Sequence, residues 1–173
     1  METVTCIHYT EKANWQLRQP DLVNGEQKPK NCLWASPIDS EFGWIHYVSE
    51  KWVFQNSCEI YPREMEYSVE LEIRKDTLIT IENEQDVENL PLDEIKDRWG
   101  YPIRIINWQK IREAGYLGVW VKLSAIRNIP EFFRSWDVES IVVFNKSAVV
   151  DAKPVQHSNY NEVYQTLSQD NWS

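Results

Sequence analysis

The chain has 173 residues, of which 42% are hydrophobic and 13% aromatic, with nine tryptophans. This composition predicts one folded domain over residues 1–173 with a sizeable core. The formal net charge of −9, from 27 acidic and 18 basic residues, excludes a protein that holds nucleic acid along a broad basic face, although it permits a nucleic-acid substrate met at one local site.

The first half of the chain predicts strands, a loop and a helix. Thr3–Thr10 is rich in β-branched and aromatic residues, which favours a first strand. Residues 11–30 contain two prolines and many polar residues, and therefore predict a loop or a short helix with a turn. The stretch Asn31–Pro37 predicts a second strand that ends at small residues, followed by a helix over residues 39–56.

The second half alternates short strands with short helices. The remaining predicted elements, in order, are two strands or one long bent strand at Glu66–Ile81, short surface helices at 82–97, a helix at Trp108–Gly115, a strand at Tyr116–Lys122, a short helix or turn at Pro130–Trp136, a strand at Val138–Phe144 with a continuation at Ala148–Val150, and a terminal helix at 158–169. Together these elements predict a mixed α+β domain with strands at both ends and with helices grouped after the second strand and before the last strands.

Three cysteines, Cys6, Cys32 and Cys58, are widely spaced and form no Cys-x-x-Cys motif. This pattern predicts free thiols rather than a disulfide framework or a zinc site, and we expect no metal. No segment has the ~18 uninterrupted apolar residues of a membrane span, and the first residues lack the basic and apolar regions of a secretory signal. We therefore expect a cytoplasmic protein without a membrane partner.

Three short pieces carry residue types that suit a nucleotide ligand. His8 and Thr10, near the end of the first strand, can both donate to and accept from a sugar diol, although His8 also fits an ordinary half-buried strand residue. Trp34 offers a flat face for a heterocycle, although with nine tryptophans it also fits a core residue. Glu139 and Asp137, at the head of the last strong strand, can bind ribose and stabilise an oxocarbenium cation, although each also fits a solvent-facing carboxylate.

In order and spacing, these pieces resemble the motifs of the ADP-ribosyltransferase superfamily, in the H-Y-E branch typified by diphtheria toxin and the poly(ADP-ribose) polymerases. Ile7-His-Tyr-Thr10 stands where that branch has His-Gly-Ser, with Tyr9 in place of the glycine. Cys32-Leu-Trp-Ala-Ser36 is similar to Gly-Ile-Tyr-Phe-Ala, with Trp34 in place of the tyrosine. Glu139-Ser-Ile-Val-Val143 is similar to the final Glu and its β run. The chain also resembles small phage and bacterial ADP-ribosyltransferases that act in phage–host conflict.

The resemblance implies a split mixed β-sheet with flanking helices and NAD as co-substrate. It implies that Glu139 binds the nicotinamide ribose and stabilises the developing cation, and that Asp137 orients the acceptor nucleophile. The residues implied to bind NAD are His8, Tyr9, Thr10, Trp34, Ala35 and Ser36, with Lys28 and Lys30 as candidates for the pyrophosphate. Trp34 would stack on the nicotinamide ring, and the small Ala35 and Ser36 would let the ring approach.

The expected activity is NAD-dependent mono-ADP-ribosyl transfer, in a toxin or a phage–host conflict effector. The acceptor would be a macromolecule, either a protein or RNA or DNA, and an antitoxin or inhibitor protein would be a further partner. Two alternatives remain open: a non-catalytic interaction or inhibitor protein on the same fold, and an NAD glycohydrolase. Nicotinamide release by the purified protein separates the first of these from an enzyme, and free ADP-ribose without a labelled macromolecule identifies the second.

Overall fold

The computed structural model describes residues 1–47 and 67–155 of the chain. Its strands are β1 (Thr3–Thr10), β2 (Leu33–Pro37), β3 (Tyr67–Arg74), β4 (Leu78–Ile81), β5 (Leu92–Lys96), β6 (Pro102–Ile106), β7 (Gly118–Val121), β8 (Ser140–Val143) and β9 (Val149–Val155). Its helices are α1 (Glu84–Glu88), α2 (Trp108–Glu113), α3 (Leu123–Asn128) and α4 (Pro130–Phe133). The predicted α+β class is confirmed.

One sheet of seven strands, in the order β4-β7-β8-β2-β1-β3-β9, organises the described residues. Only the β4–β7 pair is parallel, and the other pairs are antiparallel. The three strands that carry the candidate motifs are therefore neighbours at the centre of the sheet, in the order β8-β2-β1. Ala35 of β2 lies opposite Ile141 of β8, which brings the segments around Trp34 and Glu139 together.

The two faces of the sheet carry separate apolar clusters. The first cluster contains Trp108, Trp136 and Phe144, with Trp34 packed against it. The second contains Cys6, Ala35 and Ile141, with Trp15 and Trp120 packed against it. Because successive strand residues point to opposite faces, Trp34 and its neighbour Ala35 belong to different clusters. No helix among the described residues has the length and apolar character needed to cross a membrane.

Most predicted strands and helices are confirmed within one to four residues of their bounds. The first strand begins at Thr3 and ends at Thr10, as predicted. The helix that begins at Trp108 ends before Gly115, whose φ of +99° is typical of the residue that follows a helix. Of the helix expected at 39–56, residues 44–47 are helical and 48–56 lie outside the described residues, as does the helix expected at 158–169.

The prediction of surface helices throughout residues 82–97 is wrong in its second half. A helix does form at α1, where the side chain of Asn83 accepts from the Asp86 N–H and the Asp86 carboxylate accepts from the Asn83 N–H. Beyond Pro91, however, Leu92–Lys96 forms β5, which pairs along its whole length with β6. Pro91 limits continuation of the helix, and the chain returns after the turn at residues 97–101 to pair β6 with β5, so the acidic composition alone was a poor guide.

Candidate functional site

Glu139 lies at the head of β8, and its side chain is 10% exposed. Its Oε1 accepts from the indole N–H of Trp120 at 2.7 Å and lies 3.6 Å from the Lys122 ammonium. Its Oε2 accepts from the hydroxyl of Ser40 at 2.9 Å. A carboxylate taken out of water needs such partners, and these three donors fix both of its oxygens in place.

The backbone of Glu139 is held as firmly as its side chain. Its N–H donates to the Phe42 carbonyl at 3.1 Å, and its carbonyl accepts from the Ser36 hydroxyl at 2.7 Å. Gly43 leaves room for this arrangement, since a Cβ there would lie 2.4 Å from the Ser36 Oγ. The turn after β2 thus locks onto the start of β8 and sets the position of the carboxylate.

Two partners of Glu139 come from β7, the strand beside β8, and from the residue that follows it. Val121 lies opposite Ser140, the first residue of β8. Trp120 and Lys122 are the neighbours of Val121 in the chain, so their side chains share one face of the sheet. The Lys122 ammonium lies 3.4 Å from the centroid of the Trp120 ring, a cation–π contact that orders both side chains. Because of this network, the negative charge of Glu139 has a nearby positive counterpart.

An open groove adjoins this network on the Trp120 side. Its volume is about 450 Å³, and its walls include Thr5, Ile38, Asp39, Lys75 and Trp120. The indole that donates to Glu139 therefore also lines a space that a small ligand can enter. Solvent in the groove is therefore separated from the buried carboxylate by the Trp120 indole.

The structure places Asp137 on the surface and away from this network. Its side chain is 52% exposed, and its carboxylate lies 3.9 Å from the Lys28 ammonium. An exposed ion pair of this length contributes little to stability. No contact between Asp137 and Glu139 is present among the described residues, so the two carboxylates do not form a pair.

His8 is half-buried and fixed by a single strong contact. Its Nδ1 lies 2.7 Å from the carbonyl oxygen of Trp34, and its ring lies 5.4 Å from the ring of Trp15. Because a carbonyl only accepts, Nδ1 carries the proton, and in the neutral imidazole Nε2 is left as an acceptor. Burial lowers the pKa of His8 from its ordinary value, and the bond to the Trp34 carbonyl opposes this only in part.

A cavity of about 470 Å³ opens beside His8. Lys12, Trp15, Arg18 and Asn31 are among the residues that line it. Neither Lys12 nor Arg18 forms a salt bridge within the described part of the chain. The cavity therefore combines an aromatic ring, two cationic side chains and the free acceptor of His8, which are groups suited to a nucleotide phosphate and sugar.

The other residues of the first two motifs have mainly structural contacts. Thr10 is buried, and its hydroxyl accepts from the Lys12 N–H at 3.2 Å. Tyr9 packs beside Ile7 and Trp44 on the opposite face from His8. Ala35 and Ser36 are fully buried, and the Ser36 hydroxyl is the one that holds the Glu139 carbonyl.

The ring of Trp34 points away from His8 and Glu139. Its centroid lies 4.8 Å from that of Trp136, within the aromatic packing of the first cluster, and the Lys28 ammonium lies 5.6 Å from it. The backbone of Trp34 reaches His8, whereas its side chain does not. The structure thus joins the three motif strands but does not place Trp34 between the other two side chains.

Sequence reasoning missed the residues that hold Glu139, namely Ser40, Trp120 and Lys122, and those that line the cavity beside His8, namely Lys12, Trp15 and Arg18. The alternation of Trp120 and Lys122 along a predicted strand was a usable signal, since both then share a face. Finding their partner required the β7–β8 pairing, which no local pattern specifies.

The described cysteines are free, as predicted, and chemically quiet. Cys6 is buried and Cys32 is half-buried. Burial raises the pKa of the Cys6 thiol far above its ordinary value and that of Cys32 to about 12. Both are therefore expected to remain thiols at neutral pH, a form that is a weak nucleophile. Within residues 1–47 and 67–155, no three His, Cys, Asp or Glu side chains cluster in a way that would hold a metal ion.

Comparison of the chain with protein-family models, with curated proteins and with solved structures gives no match.

The lowered pKa of His8 predicts a specific pH dependence of stability. An unfolded chain binds a proton at the ordinary histidine pKa of 6.5, whereas the native state binds it only at lower pH. The free energy of unfolding should therefore fall as the pH drops from 6.5 towards the native pKa of His8. The measurement is urea unfolding of the wild type and of His8→Gln at pH 7 and at pH 5. Because glutamine does not titrate, the free energy of unfolding of His8→Gln should fall less between pH 7 and pH 5 than that of the wild type.

Histidine NMR titration supplies the check on that result. The chain has three histidines, and the resonance absent from His8→Gln identifies His8. A His8 midpoint at or above 6.5 would contradict the expected effect of burial.

Proposed function

We propose that the protein is an NAD-dependent mono-ADP-ribosyltransferase that modifies a protein or nucleic-acid acceptor. The observation that carries the proposal is the Glu139 carboxylate, buried at the head of β8 and fixed by Ser40, Trp120 and Lys122. The motif resemblance assigns this position to the catalytic glutamate. A second support is the central strand order β8-β2-β1, which makes neighbours of the three motif strands.

In the proposed reaction, the bond between the nicotinamide nitrogen and ribose C1 breaks, and its electron pair leaves with nicotinamide. The positive charge that develops on the ribose is stabilised by the carboxylate of Glu139, which also accepts from the ribose 2-hydroxyl. An acceptor nucleophile then bonds to C1 and loses its proton. Positioning and charge, rather than a strong base, supply most of the rate enhancement.

His8 and its cavity are proposed to hold the other half of NAD. The free Nε2 of neutral His8 accepts from a ribose hydroxyl, and Lys12 and Arg18 face the pyrophosphate. Thr10 and Tyr9 support this end of β1. For Trp34, the packing against Trp136 supports a role in positioning the Trp34 carbonyl that orients His8.

The test is incubation of the purified protein with adenylate-labelled NAD and a cell lysate, followed by protease or nuclease treatment. The proposal predicts label on a macromolecule. Release of the label by the protease identifies a protein acceptor, and release by the nuclease identifies a nucleic-acid acceptor. Free labelled ADP-ribose without a labelled macromolecule would instead indicate an NAD glycohydrolase. If the enzyme is a conflict effector that acts in the cytoplasm, its expression should be toxic, and Glu139→Gln should relieve the toxicity.

A second candidate is a non-catalytic interaction protein on this fold. It is favoured by the complete set of protein donors around Glu139, which is also what a structural buried carboxylate requires. The two candidates differ in a simple measurement, because a non-catalytic protein added to lysate releases no nicotinamide from NAD beyond the amount that the lysate releases alone.

A further inference from the structure

The hairpin formed by β5 and β6 is separate from the main sheet and ends in an exposed turn with two aromatic rings. Trp99 is 67% exposed and Tyr101 is 68% exposed, while most other large hydrophobic side chains of the described residues are covered. Exposed rings so close together suggest a binding role rather than a contribution to folding.

The turn is held rigidly by Asp97. Its carboxylate oxygen Oδ1 accepts from the N–H groups of Trp99 and Tyr101, each at 2.9 Å. Its own N–H donates to the Tyr101 carbonyl at 2.9 Å, and its carbonyl accepts from the Gly100 N–H at 3.0 Å. Gly100 has a φ of +87°, which a residue with a side chain rarely adopts. The rings are therefore presented from a fixed backbone.

A cavity of about 720 Å³ lies between this turn and the segment that follows α4. Arg98, Trp99, Arg104 and Arg134 contribute to its walls. The Arg98 guanidinium lies 3.9 Å from the Trp99 ring centroid, and Trp99 is still 67% exposed, so much of the indole surface is accessible for stacking. The cavity is large enough for a nucleotide.

Two guanidiniums at the cavity have no carboxylate partner within the described part of the chain. The charged side chains that line the cavity are balanced in number, namely Arg98, Arg104 and Arg134 with Glu26, Asp97 and Glu131. Arg104 bonds to both Glu88 and Glu131 at 3.0 Å. Neither Arg98 nor Arg134 has a carboxylate partner among the described residues, so these two guanidiniums are the groups able to meet a phosphate.

We propose that this hairpin site binds a short single-stranded nucleic acid. One base stacks on Trp99, a second base contacts Tyr101, and the backbone phosphates meet Arg98 and Arg134. Stacking accepts any base, and only a single strand can present its bases in this way. The site needs few phosphate contacts, so it is compatible with the net charge of −9. It is distinct from the Glu139 network and does not depend on the proposed transferase activity.

The test measures fluorescence anisotropy of a labelled twelve-nucleotide oligothymidylate at 50 to 200 mM salt, without NAD. The wild type should bind the single strand more tightly than a duplex of equal length. Trp99→Ala should weaken binding by about tenfold or more, and Trp99→Phe should recover most of the affinity. In the double variant Arg98→Ala with Arg134→Ala, the slope of log affinity against log salt should fall by about 1.4.

Two variants serve as matched controls. Tyr116→Ala removes an exposed ring and Arg127→Ala an exposed guanidinium, both outside this cavity, and both should bind like the wild type. Circular dichroism checks that every variant is folded. Equal affinity of folded Trp99→Ala and wild type would overturn the proposal, as would equal binding of duplex and single strand. Capture of a protein through Trp99 without any binding of oligothymidylate would overturn it as well.

Discussion

Glu139→Gln is expected to lower the rate of ADP-ribose transfer from NAD by about 10²- to 10³-fold. The substitution removes the negative charge that would stabilise the cation on the ribose but preserves the shape of the side chain. The network tolerates the change, because the glutamine oxygen can accept from Trp120 and its amide can donate to Ser40, whose hydroxyl is able to turn and accept. The measurement is the initial rate of label transfer from NAD.

Glu72→Gln is the matched control for that experiment. Glu72 lies in β3 of the same sheet, and its carboxylate also accepts from a hydroxyl, that of Thr5 at 2.6 Å. It has no part in the proposed chemistry, so its transfer rate should equal that of the wild type. Transfer at full speed by folded Glu139→Gln would refute the catalytic assignment of Glu139. Asp137→Asn tests the second carboxylate, and because Asp137 is exposed and paired with Lys28, its transfer rate should fall far less than that of Glu139→Gln.

Trp108→Ala is expected to lower the free energy of unfolding by about 3–5 kcal/mol. Trp108 is 1% exposed, and its ring centroid lies 6.0 Å from that of Trp136 and 6.4 Å from that of Phe144. Truncation leaves a large cavity among rings that cannot close it. Since domains of this size are stable by about 5–15 kcal/mol, the loss should shift the urea midpoint substantially.

Trp99→Ala is the corresponding control, because it removes the same side chain from the surface. Its effect on the free energy of unfolding should stay within about 0.5 kcal/mol. Equal losses for Trp99→Ala and Trp108→Ala would mean that the first apolar cluster is not the main stabilising core.

Local sequence predicted the elements of this fold better than their partnerships. β1 was predictable because β-branched and aromatic residues are concentrated in it, and the end of α2 because Gly115 follows it. β2 was predictable from its apolar pair Leu33-Trp34, which small residues and a proline follow. The strand β5 was missed because its pattern is short and acidic and becomes a strand only through pairing with β6. The central pairing is different, because β2 meets β8 from the other half of the chain, and no local sequence window specifies such a pair.

In the candidate site too, local sequence predicted single residues better than their partners. Glu139 was recognisable from its place before a β run, but its partners Ser40 and Trp120 lie 99 and 19 residues away in the chain. The orientation of Trp34 depends on strand alternation together with the position of Trp136, and neither is visible in the motif itself. Motif order thus indicated which strands meet, whereas the side-chain geometry had to come from the structure.

The fixation of Glu139 also has a consequence for the thermodynamics of substrate binding. Its carboxylate is oriented by Ser40, Trp120 and Lys122 before any substrate arrives, so the conformational entropy of ordering it is lost during folding. A substrate that meets this preorganised charge spends little of its binding energy on rearranging the protein. More of that energy is then left to distort the substrate towards bond cleavage.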